Sequence, residues 1–93
     1  MEAFTGFEWD TANAGHVLRH DVLPQEVEET ANGRHVIIPA RTVAGEARWR
    51  LYGKTAANRY LAVVFTIRER RFRAVTAYDM NVRERRSYAA QID

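Results

Sequence analysis

Two runs rich in β-branched and aromatic side chains, residues 60–67 and 72–78, flank four charged residues, Arg68-Glu69-Arg70-Arg71. Such side chains favour the pleated, half-buried surface of a sheet. A link this short suits an antiparallel hairpin, although it contains none of the Asn-Gly or Gly residues that usually make the turn. The first run is the strongest strand signal in the chain and reads as central. Upstream, residues 48–53 alternate, setting Arg48, Arg50 and Tyr52 opposite Trp49 and Leu51, with residues 54–58 as the connection onward. Residues 35–38 form another strand-like run, stopped by Pro39, which suits an edge or a strand end. The expectation is a four-stranded antiparallel meander.

Helical signals bracket this sheet. Residues 4–9 alternate weakly and read as a short first strand. Asp10 then stands where an N-cap would, with Asn13 three residues on, and a short helix through His20 follows. Pro24 suits the first position of a second helix, whose acidic first turn matches the positive end of the helix dipole. Gly33 suits its C-terminal cap. At the other end Asn81 and Glu84 have the spacing of a capping box, with Asn in place of Ser or Thr, and start a closing helix. Two early helices, a meander and a closing helix define an α+β domain, expected to span residues 1–93 as one unit.

Charge is divided along the chain. Residues 1–33 carry seven acidic side chains and one basic one, a balance of −6; residues 34–93 carry thirteen basic and five acidic ones, a balance of +8. Such asymmetry predicts a directional surface potential and a polyanion or acidic protein as partner. The chain has no cysteine, which removes disulfides, thiolate metal sites and thiol nucleophiles from consideration. Neither a signal-peptide pattern nor a membrane-length apolar run is present, so a cytoplasmic protein is expected.

Few residues offer chemistry. His16 and His20, four apart, project to one side of the first helix. A metal would need a third ligand, for which Asp10 and Asp21 are the near candidates; histidines at the core edge account for the pair equally well. Arg59, Arg68, Arg70, Arg71 and Arg73 surround the hairpin, and Arg83, Arg85 and Arg86 lie on the closing helix. Guanidinium groups bind phosphate bidentately, and the interspersed Tyr52, Tyr60, Tyr78 and Tyr88 suit stacking on unpaired bases. RNA cleavage requires neither metal nor cysteine: it needs a proton acceptor, a proton donor and positive charge at the phosphorane. Glu84, among arginines, is the most suggestive carboxylate; a helix cap or an ion pair explains it as well. Nucleotide-loop, dinucleotide-binding and zinc-protease patterns are absent.

Several motifs in order resemble a known family. Phe7-Glu8-Trp9-Asp10 with Asn13, His16, Arg19-His20, Val22 and Pro24, then Glu26-Val27-Glu28-Glu29, is similar to the opening of the BrnT-like toxins. Tyr52-Gly53-Lys54-Thr55, Arg59-Tyr60-Leu61, Val63-Val64-Phe65-Thr66, Arg73-Ala74-Val75-Thr76-Ala77 and Glu84-Arg85-Arg86 with Tyr88 resemble the rest of the pattern. The resemblance implies a RelE-like fold and a ribonuclease toxin that acts on RNA without a cofactor or metal. It also implies a cognate antitoxin that covers the basic surface; a homodimer of the free protein and a two-plus-two toxin–antitoxin complex are both compatible with the sequence. The catalytic candidates it points to are Arg59, Arg73, Glu84 and His20, with Arg50, Tyr78, Arg85 and Tyr88 expected to bind RNA. A non-catalytic nucleic-acid- or protein-binding module on the same fold is the alternative. Two positions depart from the family pattern. Ala77-Tyr78 stands where the family usually has Ala-Arg, and tyrosine supplies stacking or a phenolic donor but no permanent cation. Leu23 stands before Pro24 where a hydroxyl-bearing cap is common, a loss of about 1 kcal/mol.

Overall fold

The computed structural model describes residues 3–92. The expected hairpin is β4 (Tyr60–Arg68) against β5 (Arg71–Asp79). In its turn Glu69 and Arg70 both have positive φ, 50° and 68°. Two left-handed residues in succession are the type I′ geometry that matches strand twist. The turn therefore forms without glycine or asparagine, at roughly 1 kcal/mol of backbone strain per residue. On the other side of β4 lies β3 (Trp49–Lys54), and β2 (His35–Pro39) pairs antiparallel with β3 as the edge that Pro39 suggested.

The first strand, β1, is shorter than its alternation predicts, at Gly6–Phe7, and it joins the same sheet parallel to β5. The sheet thus has five strands in the order β1-β5-β4-β3-β2, four of them the expected antiparallel meander. β1 stops because the chain turns away at Asp10 into α1 (Thr11–Leu18). Asp10 and Asn13 exchange two bonds, Asp10 Oδ1 accepting from the Asn13 amide at 3.0 Å and Asn13 Oδ1 from the Asp10 amide at 2.8 Å. Buried Asn13 also donates its side-chain amide to the carbonyls of Glu8 and Ala74, at 3.0 and 3.1 Å. It thereby substitutes for the missing strand partner at the edge of β5.

Regular helix in α1 ends at Leu18, short of His20. The Val22 amide donates to Val17 O and the Asp21 amide to Leu18 O, with Asp21 at φ 58°. This is a Schellman ending with aspartate in the left-handed position that usually takes glycine. α2 (Pro24–Asn32) begins at Pro24 as expected, but its N-cap Leu23 makes no side-chain cap bond. Only the return half of a capping box is made, Glu26 Oε1 accepting from the Leu23 amide at 2.9 Å. α2 lies close on β3 because residue 53 is glycine: a Cβ there would meet Thr30 Cβ and O at 3.1 Å. α3 (Val82–Ile92) closes the chain.

The sheet is covered unequally. On one face Leu51, Leu61, Val63, Phe65, Phe72, Ala74 and Ala77 meet Val17, Val22, Val27 and Ala31 from the α1–α2 region. Phe65 and Phe72 stack there at 4.1 Å between ring centroids. A smaller cluster on the opposite face joins Tyr52, Ala62, Met80 and Tyr88, with half-buried Val36, Ile38, Tyr60 and Tyr78. Among the described residues no helix is long and apolar enough to cross a membrane.

Two substitutions test the local strain. Leu23→Ser supplies the absent cap at a position 54% exposed, and is expected to raise unfolding free energy by about 1 kcal/mol. Replacing Glu69-Arg70 by Asn-Gly relieves the hairpin turn and is expected to add about 1 kcal/mol. Denaturant titration of each variant measures both.

Candidate functional site

Strand alternation builds the less covered face. Register sets Ile38, Arg50, Val64 and Thr76 side by side across β2, β3, β4 and β5, and Val36, Tyr52, Ala62 and Tyr78 in the next row. α3 packs on this face over β2 and β3 and leaves Arg50, Val64, Thr76 and Tyr78 half-exposed.

Glu84, in the first turn of α3, joins helix to sheet. Its Oε1 accepts from the Asn81 amide at 3.0 Å, while Asn81 Oδ1 accepts from the Glu84 amide at 2.8 Å, completing the capping box. Its Oε2 accepts from the hydroxyls of Tyr52 at 3.1 Å and Tyr78 at 2.9 Å. Three of roughly four acceptor positions on the carboxylate are thus occupied. One Glu84 oxygen thus serves the cap and the other the sheet tyrosines. Arg50 neighbours the Tyr52 hydroxyl, and its Nε, shielded from solvent, has no hydrogen-bond partner.

These contacts set the protonation states. Burial, reinforced by the hydrogen bond to Glu84, pushes the Tyr78 hydroxyl up to about 12. Burial raises Tyr52 too, with the Arg50 guanidinium pulling the other way. Desolvation works against the Arg50 charge, but the Tyr52 hydroxyl beside it and the attraction of Tyr78, Tyr52 and Glu84 outweigh it, and the net shift is upward. At neutral pH the two tyrosines are donors and Arg50 is a cation.

The remaining sequence candidates have other partners. Arg59 Nε donates to Asp79 at 2.8 Å, and its Nη1 to Asp21 O at 2.7 Å and Glu26 at 3.1 Å. The bond to Asp79, against opposing desolvation, raises the Arg59 pKa and lowers that of Asp79. Arg73 Nη1 donates to Asp10 at 2.9 Å and Glu8 at 3.0 Å. His20 is exposed, its ring 5.8 Å from that of His16. No group of three or more His, Cys, Asp or Glu placed to hold a metal ion occurs among the described residues. Arg85 lies over the Tyr60 ring at 4.3 Å, and buried Tyr88 donates to Arg34 O at 3.3 Å and meets Tyr60 edge-on. The contacts therefore unite Arg50, Tyr78 and Glu84 and leave Arg59, Arg73 and His20 in other surroundings. Tyr52, expected from sequence only to stack on bases, belongs to this cluster through its hydroxyl. Its signal was in the sequence, two residues after Arg50 on the same strand face.

The fold is a small RelE-like α+β arrangement with one sheet face left partly open. The family of ribonuclease toxins named BrnT, of type II toxin–antitoxin systems, matches residues 9–84. The chain belongs to this family, and membership brings with it a ribonuclease toxin role and an antitoxin partner. No curated protein matches the chain.

Tyr78 offers a direct measurement. Its folded pKa, about 12 against an ordinary 10.0, means that the folded state holds the neutral phenol longer than the unfolded state does. The associated stability is complete below pH 10 and is lost as pH rises toward 12. Ultraviolet titration is expected to show a tyrosine ionising at about 12 that disappears in Tyr78→Phe. A native Tyr78 transition at the ordinary value would contradict the assignment.

Proposed function

We propose that the partly open sheet face cleaves RNA by metal-independent acid–base chemistry at Arg50, Tyr78 and Glu84. The observation that carries this reading is the convergence of two tyrosine hydroxyls on one Glu84 oxygen, beside an arginine with an unused donor.

Arg50 binds the scissile phosphate and neutralises charge that builds on it. Glu84 accepts the proton of the 2′-hydroxyl. The 2′-oxygen then bonds to phosphorus, and the bond from phosphorus to the 5′-oxygen breaks. Tyr78 gives its proton to the departing 5′-oxygen. The products are a 2′,3′-cyclic phosphate and a 5′-hydroxyl end. Once Glu84 has been protonated, the carboxylate that favoured the neutral phenol is gone, so Tyr78 becomes the stronger acid at the moment it must donate. The 2.9 Å contact between the two groups provides the return path, carrying a proton from Glu84 back to Tyr78.

In this reading tyrosine at position 78 acts as a donor, with Arg50 supplying positive charge from the neighbouring strand. Arg59 and Arg73 hold the surrounding elements through their carboxylate pairs and contribute to the electrostatic field. His20 has no step assigned to it. An acidic antitoxin segment laid over the same face would compete with RNA phosphate for Arg50. The alternative, a binding module without catalysis, draws support from the three structural bonds already made by Glu84.

Incubation of the purified protein with a long RNA separates the two. Cleavage is expected to survive a chelator and to leave cyclic phosphate ends. Glu84→Gln keeps a capping oxygen and is expected to slow cutting by about 10²–10⁴-fold, with Tyr78→Phe slowing it by about 10²-fold. Binding without cleavage, or cleavage indifferent to both variants, would sink the catalytic reading.

A further inference from the structure

Arg50 is matched two residues earlier by Arg48, whose Nε is also shielded from solvent and without a hydrogen-bond partner. Arg48 sits just before β3 in chain that continues the ladder, its carbonyl accepting from the Ala40 amide at 2.9 Å. Residues two apart on a strand face the same way, roughly 6.6 Å apart. The nearest ion pair of Arg48 Nε is Glu46 at 3.8 Å, beyond hydrogen-bond range. Glu46 is also held by Arg68 at 3.1 Å.

Arg48 opens into a cleft of about 220 Å³, bounded by Asn13 and His16 of α1, by Glu46, and by Thr66, Arg68 and Arg73 of the sheet. Arg73 already carries two carboxylates in the folded chain. Of the remaining cations lining the cleft, Arg68 is bonded to Glu46, and Arg48, its side chain partly exposed, is the one whose Nε makes no hydrogen bond. The volume is below the roughly 300–1,000 Å³ of drug-sized pockets, a size for one planar ring system rather than a large cofactor. Its walls mix polar groups with Ala12, Ala74 and Val75, and His16 presents an aromatic ring.

We infer that this cleft is a nucleotide subsite beside the cleavage position, for single-stranded RNA whose backbone follows β3. Arg48 binds the phosphate next to the one held by Arg50, and the cleft takes one unpaired base. The inference rests on the reading of Arg50 as ligand of the scissile phosphate. A duplex does not satisfy this arrangement, because its bases are stacked and paired and cannot turn into a side cleft.

The test uses a short single-stranded RNA, 2′-O-methylated throughout so that it is not cut, with affinity read by fluorescence anisotropy over a range of salt. Arg48→Ala is expected to weaken binding about tenfold and to lower the slope of log affinity against log salt by about one. Arg48→Lys, which keeps the charge but not the planar fork, should retain the slope and lose part of the affinity. Removing one base from the probe should cost about tenfold in the wild type and clearly less in His16→Ala. Exposed Arg19→Ala controls for net charge, and thermal melts followed by circular dichroism confirm that each variant is folded. If folded Arg48→Ala matches the wild type in affinity and slope while Arg50→Ala binds weakly, the subsite is wrong and the cleavage site stands. If Arg50→Ala also binds like the wild type, both are overturned.

Discussion

The hairpin of β4 and β5 must bury both of its faces, and most of the architecture answers that demand. Its strands carry Leu61, Val63, Phe65, Phe72, Ala74 and Ala77 on one face, and α1 and α2 with their connection supply the apolar cover. On the other face Ala62 and Tyr78 sit among Tyr52, Met80 and Tyr88, so a second, thinner cover comes from α3. A short helix that reaches chiefly β2 and β3 cannot close that face. Room for a ligand follows from this inequality, and the polar residues of the alternating strands fall in that room because alternation leaves them no other side.

Part of the division of charge along the chain is used within the molecule. Glu8 and Asp10 clamp Arg73; Glu26, with the carbonyl of Asp21, clamps Arg59. Acidic residues of the first third thus neutralise arginines of the hairpin, and these pairs help to fasten the early elements to the sheet. Partly exposed pairs of this kind contribute little stability each, of the order of 0–1 kcal/mol. Their larger consequence is selection. With Arg59 and Arg73 engaged, the shielded arginine donors without partners are those of Arg48 and Arg50.

Glu84 holds two sets of contacts at once, the helix cap and the sheet tyrosines. The capping box holds its backbone and one oxygen in place, which fixes the direction of the other oxygen toward Tyr52 and Tyr78. In the proposed reaction, a carboxylate held this way would lose little freedom on accepting a proton. Tyr78 in place of an arginine changes the character of the cluster. It brings a phenol kept neutral at neutral pH by burial and by the carboxylate beside it.

Much of this was legible in residue order, because periodicity, caps and turn positions are local properties. The meander, the Asp10 and Asn81 caps, Pro24 at a helix start and Pro39 at an edge all follow from neighbours within a few positions. The charge division and the family motifs were equally visible, and with them the class of protein. Pairing across distance was not. That β1 lies parallel to β5, that Asn13 completes the β5 edge, and that acidic residues of the first third occupy Arg59 and Arg73 depend on contacts between positions 33 to 65 residues apart. An arginine clamped by carboxylates and one with an unused donor look the same in a sequence. Only folding decided which was which, because the partner of a side chain is set by three-dimensional packing and not by its neighbours along the chain.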